Sequence, residues 1–339
     1  MPGLSPAKAT LENGLVVIAK ETRKTPIVSI NLAIAAGSIC DPADAPGAVN
    51  LLARVIDRGT ATRSGDDIAE ALDSRGISLN TLVSRHQCSL VCTCLAEDFE
   101  PTFALLADIV MAPSVPAAEL TTRKGEVVTA IRQDEDNPFV RAMESLMEAL
   151  YGEAHPYGRR PKGTIEAVEG LSRERLLTLH RERFAPGLTT AVVVGDVEPR
   201  RAIEAARLAF GGWRAPMPPA IALSRPAPQT GRRRFVISMM NKTQADIAYG
   251  FTSIARSDPE YYAYWLMNNA LGQYAIGGRL GDSIRERQGM AYYVGSSLDA
   301  NVIEGPLSIR AGVSPSNVDR AVASIDEELR TLAAGGLTE

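Results

Sequence analysis

"GAVNLLARVIDRGT", residues 47–60, decides how the rest of the chain reads. It has the pattern of an apolar amphipathic helix closed by a glycine, which predicts a core-facing helix over this stretch. Asn50 and Arg54 stand one turn apart on one face, with Ala53 beside them, since residues at i and i+4 are neighbours on a helix. Two histidines at that spacing, with an acidic residue before the second, would make a helical zinc site. None of those residue types is present here.

Working outward, "GLVVIAKE" (14–21) and "VSINLAIAAGS" (28–38) precede it as strands, and the turn "DPADAPG" (41–47) leads into it. "GDDIAEALDSRG" (65–76) predicts a helix opened by Ser64 or Asp66 and closed by Gly76. "ISLNTLVSR" and "QCSLVCTCLA" then read as strands, and "DFEPTFALLADIVMAP", "PAAELTTRKGEVVTAIRQDEDNP" and "FVRAMESLMEALYG" as helices. "RERLLTLHRERFAP", "LTTAVVVGDV" and "PRRAIEAARLAFGGW" follow as helix, central strand and helix. Residues 214–234, rich in proline and without apolar period, read as a linker.

Beyond the linker the pattern restarts, with strands "RFVISMM" and "QADIAYGFTSIA" and the helix "PEYYAYWLMNNALG". "RSDPEYY" stands where the first half has "ICDPADA", so the order strand, Asp-Pro turn, helix occurs twice. The fold expected is α+β, with two related domains, each a mostly antiparallel sheet flanked by helices. The division is 1–213, a linker over 214–234, and 235–339. The second domain is shorter and ends at "AAGGLTE" with no closing strand, and is expected to be incomplete.

Composition bounds the function. The 339 residues are 45% hydrophobic and 22% charged, with a net charge of −4, as in ordinary globular proteins. The acidic balance argues against nucleic acid as a partner. No apolar run is long enough for a membrane span. The start lacks a basic region followed by an apolar stretch, so no signal peptide is expected; a mature exported protein with a new Met would read the same, leaving a cytoplasmic or mature periplasmic location. Arginine outnumbers lysine 30 to 6, as in GC-rich bacteria. Cys88, Cys92 and Cys94 share one face of a strand, where small buried hydrophobes fit better than a tetrahedral metal site. Cys40 lies apart, and His86, His155 and His180 are too scattered to make a site.

Several stretches together resemble the pitrilysin/insulinase family of zinc metallopeptidases, in its short-chain branch that includes mitochondrial processing peptidase. They are "LENGLVVIAKETRKTPIVSINLAIAAGS", "HPYGRRPKGTIEAVEGLSRERL", "VVVGDV", "NKTQADIAYGF" and "RLGDSIRERQGMAYYVGSS". The resemblance implies two related α+β domains per chain, with two chains or fused halves closing around a peptide. In active members the helix at 47–60 carries H-x-x-E-H, whose histidines bind zinc and whose glutamate activates water, and a glutamate about 75 residues on completes the ligands. Here Asn50 and Arg54 replace the histidines, Ala53 the base, and Ala130 the distant glutamate. An amide is a poor zinc ligand, a guanidinium repels the cation, and alanine can neither ligate nor take a proton. No metal is expected in this chain.

"SIRERQGMAYYVGSS" resembles the family's arginine–tyrosine segment. Gly289 suits a helix C-cap, so Arg285 ends a helix and Tyr292 enters a strand. The resemblance implies that such a tyrosine donates to the oxyanion and the arginine holds a substrate carbonyl, serving a zinc site on a facing domain or partner chain. From spacing alone, the favoured reading is a plain one that pairs Arg285 with Asp282 at i,i+3 and buries Tyr292 in a sheet. "LGQYAIGGRLG" lacks G-K-[ST] and reads as a turn made by Gly272, Gly277 and Gly278. "ISLNTLVS" reads as an edge strand; in catalytic chains its match binds peptide by strand addition.

Two functions follow. One is a non-catalytic subunit of a heterodimeric zinc metallopeptidase, with zinc in an H-x-x-E-H-containing partner and peptide as substrate. The other is a structural or peptide-binding core-type subunit with no role in cleavage, as relatives in respiratory complexes are. An independent peptidase would need ligands that are not there.

Overall fold

The structure, a computed structural model, describes residues 5–274 and 277–336. In chain order the strands and α-helices are β1 (Ala7–Thr10), β2 (Val16–Glu21), β3 (Ile27–Ile34), α1 (Ala48–Val55), α2 (Gly65–Asp73), β4 (Ser78–Val83), β5 (Cys88–Leu95), α3 (Phe99–Met111), α4 (Ala117–Glu135), α5 (Pro138–Tyr151), α6 (Ile165–Gly170), α7 (Arg173–Arg183), β6 (Thr189–Gly195), α8 (Pro199–Phe210), β7 (Ala245–Thr252), α9 (Tyr261–Asn268), β8 (Ala291–Leu298), β9 (Pro306–Val313) and α10 (Val318–Gly335). They fall into two compact units, Met1–Ile131 with Arg160–Ile221, and Arg132–Arg159 with Ala222–Glu339.

The first unit holds a six-stranded sheet in the order β1-β2-β6-β3-β5-β4. All its pairings are antiparallel except β2 with β6. The period of two in β3 buries Val28, Ile30, Leu32 and Ile34 on one face, and burying each contributes roughly 1.5–3 kcal/mol. Cys88, Cys92 and Cys94 lie buried on that sheet as small hydrophobes. Helices α3 and α8 pack together through Phe99, Phe103 and Phe210, with ring centroids 5.4 and 5.6 Å apart. Ser64 caps α2, and Asp67 reciprocates to the Ser64 backbone, which stabilises the helix by about 1 kcal/mol.

The second unit holds a three-stranded antiparallel sheet in the order β7-β9-β8. Its core gathers Leu271, Leu280, Ile284, Val294, Ile309 and Ile325. Helix α5 packs on β7, where Leu146 comes so close that a Cβ at Gly250 would lie 3.0 Å from it. The two sheets share an order, since β3-β5-β4 in one matches β7-β9-β8 in the other. In each unit the first of these strands leads to a helix, then a hairpin, then a longer helix.

The structure differs from the sequence reading in three places. Residues 132–159, expected in the first domain, belong to the second unit, because Met147 and Leu150 of α5 are buried there and the Phe139 ring meets Tyr293 edge-on at 6.5 Å. The break between units falls inside the proline-rich stretch, which has no regular structure. "RFVISMM" (234–240) is not a strand: none of the described strands pairs with it, and Phe235, Val236 and Met240 are exposed. The helix expected over 47–60 stops at Val55, ahead of Gly59 with its φ of +154°. Leu337–Glu339, in the expected incomplete tail, lie outside the described residues. No helix among the described residues is long and apolar enough to cross a membrane.

Candidate functional site

Helix α1 is built to be rigid. Gly47 adopts φ +88°, a left-handed conformation that favours glycine. A Cβ there would lie 2.3 Å from the Lys162 carbonyl oxygen, so the chain entering α1 is pressed against residues 162–163. The buried Asp41 carboxylate accepts from the backbone N–H of Gly47 and of Val49, each at 2.8 Å. This satisfies two of the donors a helix start leaves orphaned and places negative charge at the positive end of the dipole. Ala48, Val49, Leu51, Leu52 and Val55 are buried, and the helix packs on β4 and α7.

On this scaffold Asn50 and Arg54 come together as i and i+4 predict: the Arg54 Nε donates to the Asn50 Oδ1 at 3.3 Å. Ala53 is buried beside them. Ala130 lies near the C-terminal end of α4, half-buried. This arrangement does not fit a metal ion. The one uncharged oxygen that could ligate is turned toward a guanidinium, and Ala53 and Ala130 supply no donor. Among the described residues no group of three or more His, Cys, Asp or Glu is placed to hold a metal. The nearest acid in the chain, Asp57, is engaged with Arg58 at 3.2 Å. Burial raises its pKa, with Arg58 opposing.

The arginine–tyrosine segment lies in the second unit. Arg285 sits in a short wide-turn (π) helix, Gly281–Arg287, and Tyr292 in β8. Gly289 joins them at φ +59°, its N–H bonded to the Arg285 carbonyl at 3.0 Å, while the Met290 N–H reaches the Ile284 carbonyl at 3.0 Å. Such a left-handed helix end is where glycine is favoured. Both simple alternatives from spacing fail. Asp282 pairs with Arg287 at 2.9 Å rather than with Arg285, and Tyr292 is 85% exposed rather than buried. The sheet explains the exposure: Tyr292 sits at the β-bulge between Ala291 and Tyr293, and a bulge re-aims a side chain.

Arg285 donates through Nε and NH2 to the Glu286 Oε1, at 2.9 and 2.5 Å. Glu328 of α10 pairs with Arg287 of that helix at 3.6 Å and with Arg279 just before it at 3.1 Å. Glu286 was not singled out in the sequence; its adjacency to Arg285 was the one available signal. Asp41 was also missed, since a cap reaching six and eight residues ahead has no local signature. The glycine turn is more specific than expected. The Gly277 and Gly278 N–H groups both bond to the Tyr274 carbonyl. Gly272 is buried at a kink where the backbone leaves the helical conformation, and a Cβ on Gly278 would lie 2.7 Å from its Cα. Ala275 and Ile276 of that loop lie outside the described residues. The edge strand expected at "ISLNTLVS" is β4, at one end of the six-stranded sheet.

Comparison with known proteins agrees with this architecture. Residues 16–159 match the model of the insulinase family (peptidase family M16), and residues 170–339 match that of the peptidase M16 inactive domain. A protein of Mycobacterium leprae described as an uncharacterized zinc protease is 28% identical over 98% of this chain and 74% of its own length. A probable mitochondrial-processing peptidase subunit beta of Schizosaccharomyces pombe is 25% identical over 78% of this chain and 58% of its own. A crystal structure of a peptidase M16 inactive domain from Pseudomonas fluorescens superposes with a TM-score of 0.91 at 25% identity, covering 99% of this chain and 81% of that one. With both halves matched in order, this chain belongs to the insulinase, or M16, family of peptidases.

Proposed function

We propose that this chain is the non-catalytic subunit of a heterodimeric zinc metallopeptidase and that it donates Arg285 and Tyr292 to a partner's site. The observation that carries the reading is the contrast between the two segments. Helix α1 presents Asn50, Ala53 and Arg54 where an active chain needs ligands and a base. Tyr292, in contrast, is held out to solvent on a well-formed strand. Leaving a tyrosine ring exposed forgoes the burial that a core tyrosine would contribute.

In this reading the Arg285 guanidinium leaves Glu286 to hold a carbonyl of the bound peptide. The Tyr292 hydroxyl donates to the oxyanion that forms as the scissile carbonyl becomes tetrahedral, a contact stronger in the transition state than in the ground state. The zinc and the base belong to a homologous H-x-x-E-H subunit, and the substrate is an extended peptide. The Arg-rich composition and the Mycobacterium leprae relative favour a bacterial source.

The test is purification of the tagged chain with its partners, followed by zinc determination and a peptide-cleavage assay. The expected result is zinc and cleavage only with a partner of similar size. Tyr292→Phe and Arg285→Ala should each lower cleavage about 10²–10³-fold with the complex intact. A stable complex without zinc or cleavage would overturn the reading and leave the structural or peptide-binding role.

A further inference from the structure

We propose that a cavity in the first unit, walled by Trp213 and two prolines, binds a carboxylate carried on a ring. The site is independent of Arg285, Tyr292 and the positions on α1. The cavity, of about 320 Å³, is lined by Asn13, Pro186, Trp213, Arg214, Ala215 and Pro216. That volume falls within the range of small-ligand pockets, about 300–1,000 Å³. The lining comes from three places far apart in the sequence. They are the turn between β1 and β2, the single turn Pro186–Leu188 between α7 and β6, and the segment that leaves α8. All three belong to the first unit.

Hydrogen bonds tie these segments to one another. The Asn13 Nδ2 donates to the Phe210 carbonyl at 2.7 Å and to the Trp213 carbonyl at 3.3 Å, and the Asn13 Oδ1 accepts from the Leu15 N–H at 3.2 Å. The β1–β2 turn is thereby fastened to the chain leaving α8. Gly14, at φ +91°, brings the same turn against the second segment: a Cβ on it would lie 3.2 Å from the Gly187 Cα. The Trp213 N–H bonds to the Phe210 carbonyl at 2.9 Å, and the Trp213 ring centre lies 6.0 Å from that of Phe210. The walls are therefore held before any ligand arrives.

The side-chain polar groups left over at this cavity are all donors. Asn13 spends its amide on the wall itself. Trp213 is only 7% exposed, yet its indole N–H donates to no group among the described residues and is not sealed away from solvent. A buried indole N–H usually finds an acceptor. Arg214 donates through NH1 to the carbonyls of Gly211 and Trp213, at 2.5 and 3.2 Å. Its Nε and NH2, the other side of the guanidinium fork, bond to nothing among the described residues. No acid lines the cavity. A ligand must therefore bring acceptors and a negative charge, and a carboxylate matches the two free nitrogens of the fork. One guanidinium balances one carboxylate, whereas the double charge of a phosphate would be left half unpaired. The rest of the lining, the indole with Pro186, Ala215 and Pro216, is apolar and largely flat, which suits an aromatic or proline ring. Two sources offer this chemistry: a free aromatic acid, and a peptide whose last residue carries a ring.

The probes are phenylacetate and the tripeptide acetyl-Ala-Ala-Phe with a free C-terminus. Each is added to the full chain carrying Trp265→Phe, in which Trp213 is the remaining tryptophan. Trp213 emission should change saturably, with a Kd of about 1 mM or tighter for at least one of the two acids, and calorimetry should give the same value. The tighter of the two identifies the source. The neutral counterparts, phenylacetamide and the tripeptide amide, should bind at least tenfold more weakly. Arg214→Gln, at an exposed position, should weaken the acids at least tenfold, leave the amides unchanged and leave the urea midpoint unchanged. Arg214→Lys, which keeps the charge and loses the fork, should fall between the two. The comparison of acid with amide stands whatever the variants do to the fold. No saturable change with either acid up to about 10 mM, equal binding of acids and amides, or undiminished binding by a folded Arg214→Gln chain would each overturn the proposal.

Discussion

Asp41→Ala should destabilise the first unit by about 3–7 kcal/mol. The Asp41 carboxylate is buried and accepts two backbone N–H bonds from Gly47 and Val49. A hydrogen bond to a charged group is worth about 1.5–3 kcal/mol, and a charge at a helix start adds about 0.3–1 kcal/mol. Removing the carboxylate strands two N–H groups at the entry to α1, where residues 46–47 and 162–163 are in close backbone contact and can relax little. The chain has two tryptophans, Trp213 in the first unit and Trp265 in the second. In a Trp265→Phe background, Trp213 fluorescence therefore reports urea unfolding of the first unit alone. With a slope near 3 kcal/mol/M, the upper end for urea, the midpoint should fall by about 1–2 M. Asp41→Asn keeps one acceptor oxygen and loses the charge, and should cost about half as much. Equal losses for the two variants, both under about 1 kcal/mol, would show that α1 is not held in this way.

The same assay checks the metal site: treatment with a chelator should leave the midpoint unchanged, whereas a midpoint that falls would show that α1 is held by a bound ion. Tyr292→Phe should move the midpoint of the second unit, read from Trp265, by less than about 0.5 kcal/mol, because the residue is exposed; a larger loss would give the hydroxyl a structural role. Burial pushes the thiols of Cys88 and Cys92 up to about 12 and raises those of Cys40 and Cys94. A disulfide reagent at pH 8 should therefore label almost none of the four cysteines in the native chain and all four in urea. His180 is buried with its Nε2 2.8 Å from the Val110 carbonyl, and burial lowers its pKa below the usual value. The unfolded chain then binds the extra proton first, so this contribution is full above about pH 6.5 and is lost as pH falls toward the lowered folded value. His180→Gln should flatten the pH dependence of the midpoint between about pH 7 and 5, and an unchanged slope would refute the assignment.

Much of this protein was legible from local pattern. The period-two runs at 16–21, 27–34 and 189–195 became strands, because alternate apolar residues can be buried only on a sheet face. Ser64 and Gly76 marked the ends of α2, because capping and left-handed turns are local chemistry. That Asn50, Ala53, Arg54 and Ala130 offer neither histidine nor carboxylate is a matter of residue type, so it needed no coordinates. Tertiary structure decided what depends on distant partners. "RFVISMM" has a strand's composition, but a strand exists only where a neighbour completes its hydrogen bonds, and none of the described strands pairs with it. Helix α5 has a sound helical pattern that carries no record of which sheet it covers; burial against β7 assigned it to the second unit. Whether Tyr292 faced core or solvent turned on a bulge in the pairing of β8 with β9. The cap that Asp41 provides for α1 spans six to eight residues of turn, a geometry set by the packing of Gly47 against residues 162–163 far along the chain.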